Sequence, residues 1–334
     1  MTRYPEILDG LIHGSHRWLV TGAAGFIGSH LTEALLSLGQ NVTGLDDLST
    51  GHRENISAAL RESGCTDGKN FTFINGSITN ISVCREAVRG CEYVLHHAAL
   101  ASVPESMGDP VHYNNVNVSG FVNILEASHE YSVKKVVYAS SRAVYGGGGC
   151  VEMPKHESEA GGFLSPYAMT KYINEICAEF FTRIYGLDCT GLRYFNVFGP
   201  RQDPNGAYAA VIPRWIEAVR SGKTPVIYGD GTQSRDFCSV QNVVKANILA
   251  ALNPDSHGKI FNIGCGVNTT LNDLLGKIYA VFAPDAEAKC IYEPVRGGDI
   301  KYSCASIDFA GEVLKFSPSV YLEEGLKIIH DYQA

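Results

Sequence analysis

Tyr167 and Lys171 lie four residues apart in Ser165-Pro166-Tyr167-Ala168-Met169-Thr170-Lys171. On a helix that spacing puts both side chains on one face, one turn apart. A phenol with an ordinary pKa of about 10 is a poor base at neutral pH. A fixed ammonium beside it favours the phenolate and so makes proton removal easier. Such a pair can take the proton from a substrate hydroxyl while a redox cofactor takes hydride from the same carbon. Alone, the spacing decides little, because an exposed lysine near a half-buried tyrosine is common.

A second set supplies the cofactor. Gly22-Ala23-Ala24-Gly25-Phe26-Ile27-Gly28 follows a short apolar run and opens a helical pattern. Glycines there let the turn close and let the backbone approach a pyrophosphate, whose charge suits helix N-terminal N–H groups. Asp46 follows Gly28 at the end of the next apolar run, where a carboxylate can grip the ribose diol of an adenosine. A carboxylate at that place repels a 2′-phosphate, and Asp47 adds a second negative charge. The expected cofactor is therefore NAD rather than NADP.

These residues need a frame, and the chain predicts one. Trp18–Thr21, Asn41–Leu45, Phe71–Ile74, Tyr93–His96, Val136–Ser140 and Cys189–Arg193 read as strands, with helical stretches such as Ile27–Leu38, Val118–His129 and Tyr167–Tyr185 between them. Strands apolar throughout, alternating with helices, predict an α/β fold: a Rossmann-type doubly wound parallel sheet covered on both faces. After Asn196 the loops become rich in Gly, Pro and Asp, and the elements shorten. Phe261-Asn262-Ile263 reads as one more sheet strand. Residues 1–196 with about 236–263 are thus expected to form the NAD-binding domain. Residues of about 197–235 with 264–334 are expected to form a smaller C-terminal α/β substrate lobe.

Composition narrows the partners. The 334 residues carry a net charge of −8 and no basic run, which argues against nucleic acid and anionic membranes. Ten scattered cysteines include no C-x-x-C and no Cys/His cluster with metal spacing, so no metal is expected and the thiols read as small core residues of a cytoplasmic protein. The N-terminus has no apolar stretch of signal-peptide type, and no run approaches the roughly 20 apolar residues of a membrane span.

The motifs together resemble the extended short-chain dehydrogenase/reductase superfamily, in its NAD-dependent epimerase/dehydratase branch. The G-x-x-G-x-x-G spacing, His97-Ala98-Ala99-Leu100, Asn117-Val118-Ser119-Gly120, Arg193-Tyr194-Phe195-Asn196-Val197-Phe198-Gly199 and Arg235-Asp236-Phe237 occur in the family's order. The resemblance implies that Gly22, Gly25, Phe26, Ile27, Gly28, Asp46, Asp47, Ile78, Ala98, Ala99, Tyr167 and Lys171 hold NAD. Ser77 stands where the family usually has an adenine-contacting Asp. In Ser140-Ser141-Arg142-Ala143-Val144-Tyr145-Gly146 the resemblance makes Ser141 the catalytic hydroxyl, bridging substrate and Tyr167. The family's dehydratases carry an acidic pair at the two positions directly after that serine, where this chain has Arg142-Ala143. Oxidation at C4 of a sugar and return of hydride to its other face is the reaction left.

The substrate residues are likewise implied by resemblance. Asn196, Arg235 and Arg296 are expected on a nucleotide diphosphate, Asp299 on its ribose and Tyr228 beside a uracil. Arg201 to Pro213, including Ala210 and Val211, and Leu100 to Pro104, including Ser102, resemble hexosamine-preferring UDP-N-acetylglucosamine 4-epimerases. The family's size-determining wall falls on Ser303, small enough to admit a 2-acetamido group. The expected substrate is a UDP-hexose, with UDP-GlcNAc and UDP-GalNAc interconverted and UDP-Glc and UDP-Gal as further pairs. Arg142 opens an alternative, a substrate carboxylate at C6 and hence a UDP-uronic acid. A non-catalytic NAD-sensing protein is the rival of another class. The helices bearing Val118–His129 and Tyr167–Lys171 are expected to form the interface of a homodimer.

Overall fold

The computed structural model describes residues 10, 11, 13–65, 69–147, 154–204, 210–295 and 300–333. Seven strands build one sheet: β1 (Arg17–Thr21), β2 (Asn41–Asp46), β3 (Phe71–Asn75), β4 (Tyr93–His96), β5 (Lys135–Ser141), β6 (Cys189–Tyr194) and β7 (Ile260–Ile263). Their order is β7-β6-β5-β4-β1-β2-β3, and every neighbouring pair is parallel. The order reverses beside β1, so the crevice for a ligand opens at the carboxyl ends of β1 and β4. The expected strands are all present, with ends moved by a residue or two.

Burial on both faces explains why these strands read as unbroken apolar runs. Val20, Leu95, Val137 and Leu192 face helices Phe26–Ser37 and Val240–Leu252. Their neighbours Leu19, Val94, Val136 and Tyr138 face helices Ile81–Val88 and Gly120–Glu130. The alternation follows from side chains pointing to opposite faces at successive residues.

Beyond β6, helices Val211–Arg220, Leu271–Phe282 and Leu322–Gln333 bury a separate apolar cluster with Ile227, Phe237 and Leu326. Short strands pair within this part, among them Tyr302–Ser303 beside Ser234–Arg235. Helix Asp308–Leu314 behaves otherwise: Ala310, Leu314 and Phe316 enter the sheet's own core, in the stretch that sequence assigned to the lobe. A further difference concerns Asn117-Val118-Ser119-Gly120, expected to open a helix. The helical run begins upstream at Pro110, behind the Asp109 cap, and residues Asn115–Ser119 form a π-helical turn within it. Among the described residues no helix is long and apolar enough to cross a membrane.

Candidate active site

The glycine turn shows what each position is for. Gly22 has φ +69°, a conformation that other residues reach only at a cost of about 1 kcal/mol or more. A side chain at Gly28 would put its Cβ 2.0 Å from the Gly22 carbonyl oxygen, so only glycine lets the helix seat against the turn. Ala24 and Leu48 N–H donate to the two oxygens of Asp46 at 2.9 and 2.8 Å. Burial raises the Asp46 carboxyl above its ordinary pKa, and those two N–H groups oppose the rise. Each oxygen keeps a lone pair for a ribose hydroxyl. Asp47 is partly desolvated, yet hydrogen bonds from Ser49 and Ser77 hold it below the usual value.

Thr21 Oγ1, at the end of β1, accepts the N–H groups of His97 and Ala98 at 3.1 Å each. That fixes the loop after β4 against Gly22. Asn117, in the π-helical turn, clasps Leu100 through its N–H at 2.8 Å and its carbonyl at 3.0 Å, and donates to Thr170 Oγ1 at 3.1 Å. One side chain therefore joins the cofactor loop to the helix carrying Tyr167.

That helix, Pro166–Phe180, starts at Ser165, whose hydroxyl accepts the Ala168 N–H, with Pro166 in the first turn. Its depth is set by a buried fork: Arg193 Nε and Nη2 each meet a Glu175 carboxylate oxygen at 2.8 Å. Ser140 Oγ donates to Glu175 at 2.5 Å, and Arg193 Nη1 donates to the Tyr145 hydroxyl at 2.9 Å. The arginine of R-Y-F-N and the tyrosine of V-Y-G thus lock β5, β6 and the helix together behind the site.

Tyr167, Lys171 and Ser141 line one cavity of about 460 Å³. Burial raises the Tyr167 phenol above 10, while the Ser141 hydroxyl and the Arg142 charge both lower it. Lys171 is 3% exposed, its Nζ donates to Ala139 O at 2.9 Å, and burial pulls it down to about 8. The spacing argument gave Lys171 the task of stabilising the phenolate. In the structure Lys171 Nζ donates to Ala139 O in β5, and the charge that lowers the phenol is that of Arg142.

Gly22, Gly25, Phe26, Ile27, Gly28, Asp46, Asp47, Ile78, Ala98, Ala99, Arg142 and Asn196 line the same cavity. Ser77 stands just outside it, its oxygen accepting from Thr79 Oγ1 at 3.1 Å. Ala210, Val211, Tyr228 and Arg235 line a second cavity of about 450 Å³. Val103, Asn196 and Val197 belong to both walls, so the two spaces adjoin. Ser102 lines neither; its hydroxyl caps helix Val103–Gly108. Ser303, 6% exposed and paired with Arg235, also lies off both walls. Arg296 and Asp299 fall outside the described residues.

Sequence reasoning missed His97 and Tyr194 as wall residues. His97 Nε2 meets the Tyr194 hydroxyl at 2.8 Å, and Asn247 Nδ2 donates to that hydroxyl at 2.8 Å. Tyr194 and His97 therefore form one buried polar pair in the cavity wall. Burial, aided by the Lys171 charge, takes His97 down to about 3, so it stays neutral. Both residues lie within quoted motifs, but nothing in their spacing announces that they meet.

Residues 18–264 match the model of the NAD dependent epimerase/dehydratase family. A UDP-glucose 4-epimerase of Mycolicibacterium smegmatis is 39% identical over 93% of this chain and 96% of its own length. A solved UDP-N-acetylglucosamine 4-epimerase from Methanobrevibacter ruminantium, in complex with UDP-N-acetylmuramic acid, is 39% identical, with TM-score 0.88 over 96% of this chain and 99% of that one. A UDP-glucuronic acid 4-epimerase from Bacillus cereus, in complex with UDP-glucuronic acid and NAD, is 29% identical, with TM-score 0.84 over 95% and 98%.

Proposed function

The chain belongs to the NAD-dependent epimerase/dehydratase family and is a UDP-sugar 4-epimerase, and we propose that its substrates are UDP-GlcNAc and UDP-GalNAc. One observation carries the reading: Tyr167, Ser141 and Lys171 share the wall of a cofactor-sized cleft that adjoins a second cavity lined by Tyr228 and Arg235. The first cavity fits NAD, since its wall is a glycine turn that closes only because Gly28 has no Cβ to meet the Gly22 carbonyl, and each Asp46 oxygen keeps a lone pair for a ribose hydroxyl.

Tyr167 removes the proton of the sugar's O4, and Ser141 passes a hydrogen bond between that oxygen and the phenol. NAD, when bound, accepts hydride from C4 and gives it back on the opposite face. Lys171, anchored on Ala139 O, keeps two further N–H donors for the cofactor's ribose hydroxyls. Arg142 lowers the energetic cost of the phenolate. Asn196 stands between the cavities, its amide donating to Asp236 O at 3.0 Å, and orients the diphosphate with Arg235. Tyr228 lies beside the uracil.

Arg142 supports a second reading on the same chemistry, a UDP-uronic acid whose carboxylate meets the guanidinium. Purified protein without added NAD, given UDP-GlcNAc, UDP-Glc and UDP-GlcNAcA separately and followed by NMR, decides among them. The proposal expects UDP-GalNAc as the favoured product. Turnover of the acidic sugar alone, abolished by Arg142→Ala, replaces it with the uronate reading.

We read the working form as a homodimer in the cytoplasm. Met169, Ile176, Phe180 and Ile184 leave an apolar stripe exposed along Pro166–Phe180 and the turn after it, and Met107 and Val111 continue it. The nine described cysteines are all free, which suits a reducing compartment.

A further inference from the structure

His30, one turn into the cofactor helix Phe26–Ser37, is held at both ring nitrogens by a single loop that follows Val197–Phe198. Nε2 meets Pro200 O at 3.0 Å, and Nδ1 meets Arg201 Nη2. A carbonyl only accepts, so the proton is on Nε2 and Nδ1 accepts from the guanidinium. The same Nη2 reaches Glu33, three residues along the helix. Burial and the neighbouring Arg201 charge bring His30 down to about 3, in keeping with that neutral tautomer.

Stability alone does not account for Arg201. Its side chain is only 3% exposed, its φ of +62° is left-handed, and Nε and Nη1 are buried with no hydrogen-bond partner among the described residues. Strain and buried unsatisfied donors of this kind persist where function demands a fixed geometry. Its neighbours show what is fixed. On the helix side, the Phe26 ring lies edge-on to His30 at 5.8 Å and lines the cofactor cavity. On the loop side, Gln202 donates to Val197 O at 3.2 Å, and Val197 lines both cavities.

We infer that the Arg201–His30–Glu33 cluster is a positioning clamp, holding the nucleotide-sugar cavity in register with the cofactor helix. The inference rests on the epimerase reading, because that reaction makes register matter. The oxidised sugar must turn over and meet the reduced cofactor again before it escapes. If it escapes, the sugar leaves as a 4-ketone and the cofactor remains as NADH, having gained the hydride while Tyr167 holds the proton. A clamp that sets the distance between the cavities keeps such losses rare.

The test uses the holoenzyme with Arg201→Gln, Arg201→Lys, Glu33→Gln and, as a control, Ile278→Ala, which opens a gap in the lobe core at a residue outside the Arg201–His30–Glu33 cluster. Arg201→Gln is expected to raise KM for UDP-GlcNAc about tenfold, the size of one lost charge-assisted contact, with kcat changed much less. Absorbance at 340 nm should build during its turnover, Arg201→Lys should restore part of both effects, and Ile278→Ala should lower Tm without either. Glu33 is 29% exposed, so Glu33→Gln carries the same expectation in weaker form if Arg201→Gln fails to fold. Wild-type KM without NADH in the clamp variants, or equal NADH in the control, overturns the inference. UDP binding by calorimetry stands apart from the reaction. Weaker UDP binding in the clamp variants supports the clamp even if wild type inverts no sugar, whereas unchanged binding in that case overturns it.

Discussion

A phenol drawn out of water is a stubborn acid, and the base we propose is one. Burial raises Tyr167, and the two groups that oppose the rise are the Ser141 hydroxyl and the Arg142 guanidinium. The active form of a base is the deprotonated one, so kcat/KM should climb with pH as the phenol ionises. Removing a cation that favours the phenolate raises the pKa further. Arg142→Gln should therefore move the rising limb of the pH profile to higher pH while leaving bound NAD in place. An unmoved limb would return the tuning to Lys171. The residue types and spacing of Tyr167, Lys171 and Ser141 were legible in the chain. The direction in which Lys171 points was not, because Ala139 O becomes its partner only once β5 and the helix lie side by side.

At the scale of elements, the strand-turn-helix unit at Gly22–Gly28 makes unequal demands on its glycines. A Cβ at Gly25 would stand 3.2 Å from the Gly22 carbonyl oxygen, a tight contact that a small shift relieves. At Gly28 the same carbonyl would be at 2.0 Å, and the obstacle is backbone. Gly28→Ala should strip NAD from the purified protein and lower Tm by several degrees, whereas Gly25→Ala keeps most of its cofactor; absorbance of released nucleotide and a thermal melt read both. Equal losses would mean that the turn is more pliable than its packing indicates. The sequence pattern marked all three glycines alike, since spacing records that a turn is tight but not which atom crowds it. The same limit explains the helix through Asn117. Its motif is visible as letters, but the π-helical turn that lets Asn117 grasp both Leu100 and Thr170 arises from contacts 17 and 53 residues away.

Across the whole molecule, strand periodicity and the run of motifs sufficed for the sheet and its cofactor crevice. The lobe was less legible, because its elements are short and draw their stability from one another. Helix Asp308–Leu314 shows the difficulty, being late in the chain yet packed in the sheet core. The apolar stripe of Ile176, Phe180 and Ile184 is also a whole-molecule feature, at 52, 43 and 56% exposure on one face of a helix otherwise well packed. Stripes of that kind mark interaction surfaces. Ile176→Asp should convert a dimer to a monomer in analytical ultracentrifugation with little change in the fold's circular dichroism. A wild-type monomer, or an unaffected dimer, would remove this face from the assembly.

The central claim is that C4 of the sugar is oxidised and then reduced again with the same hydrogen. UDP-GlcNAc deuterated at C4, incubated with the purified protein in ordinary water and no added NAD, tests it most directly. The account predicts UDP-GalNAc that retains deuterium at C4. Protium at C4, or no C4-inverted product from any UDP-sugar, would contradict it.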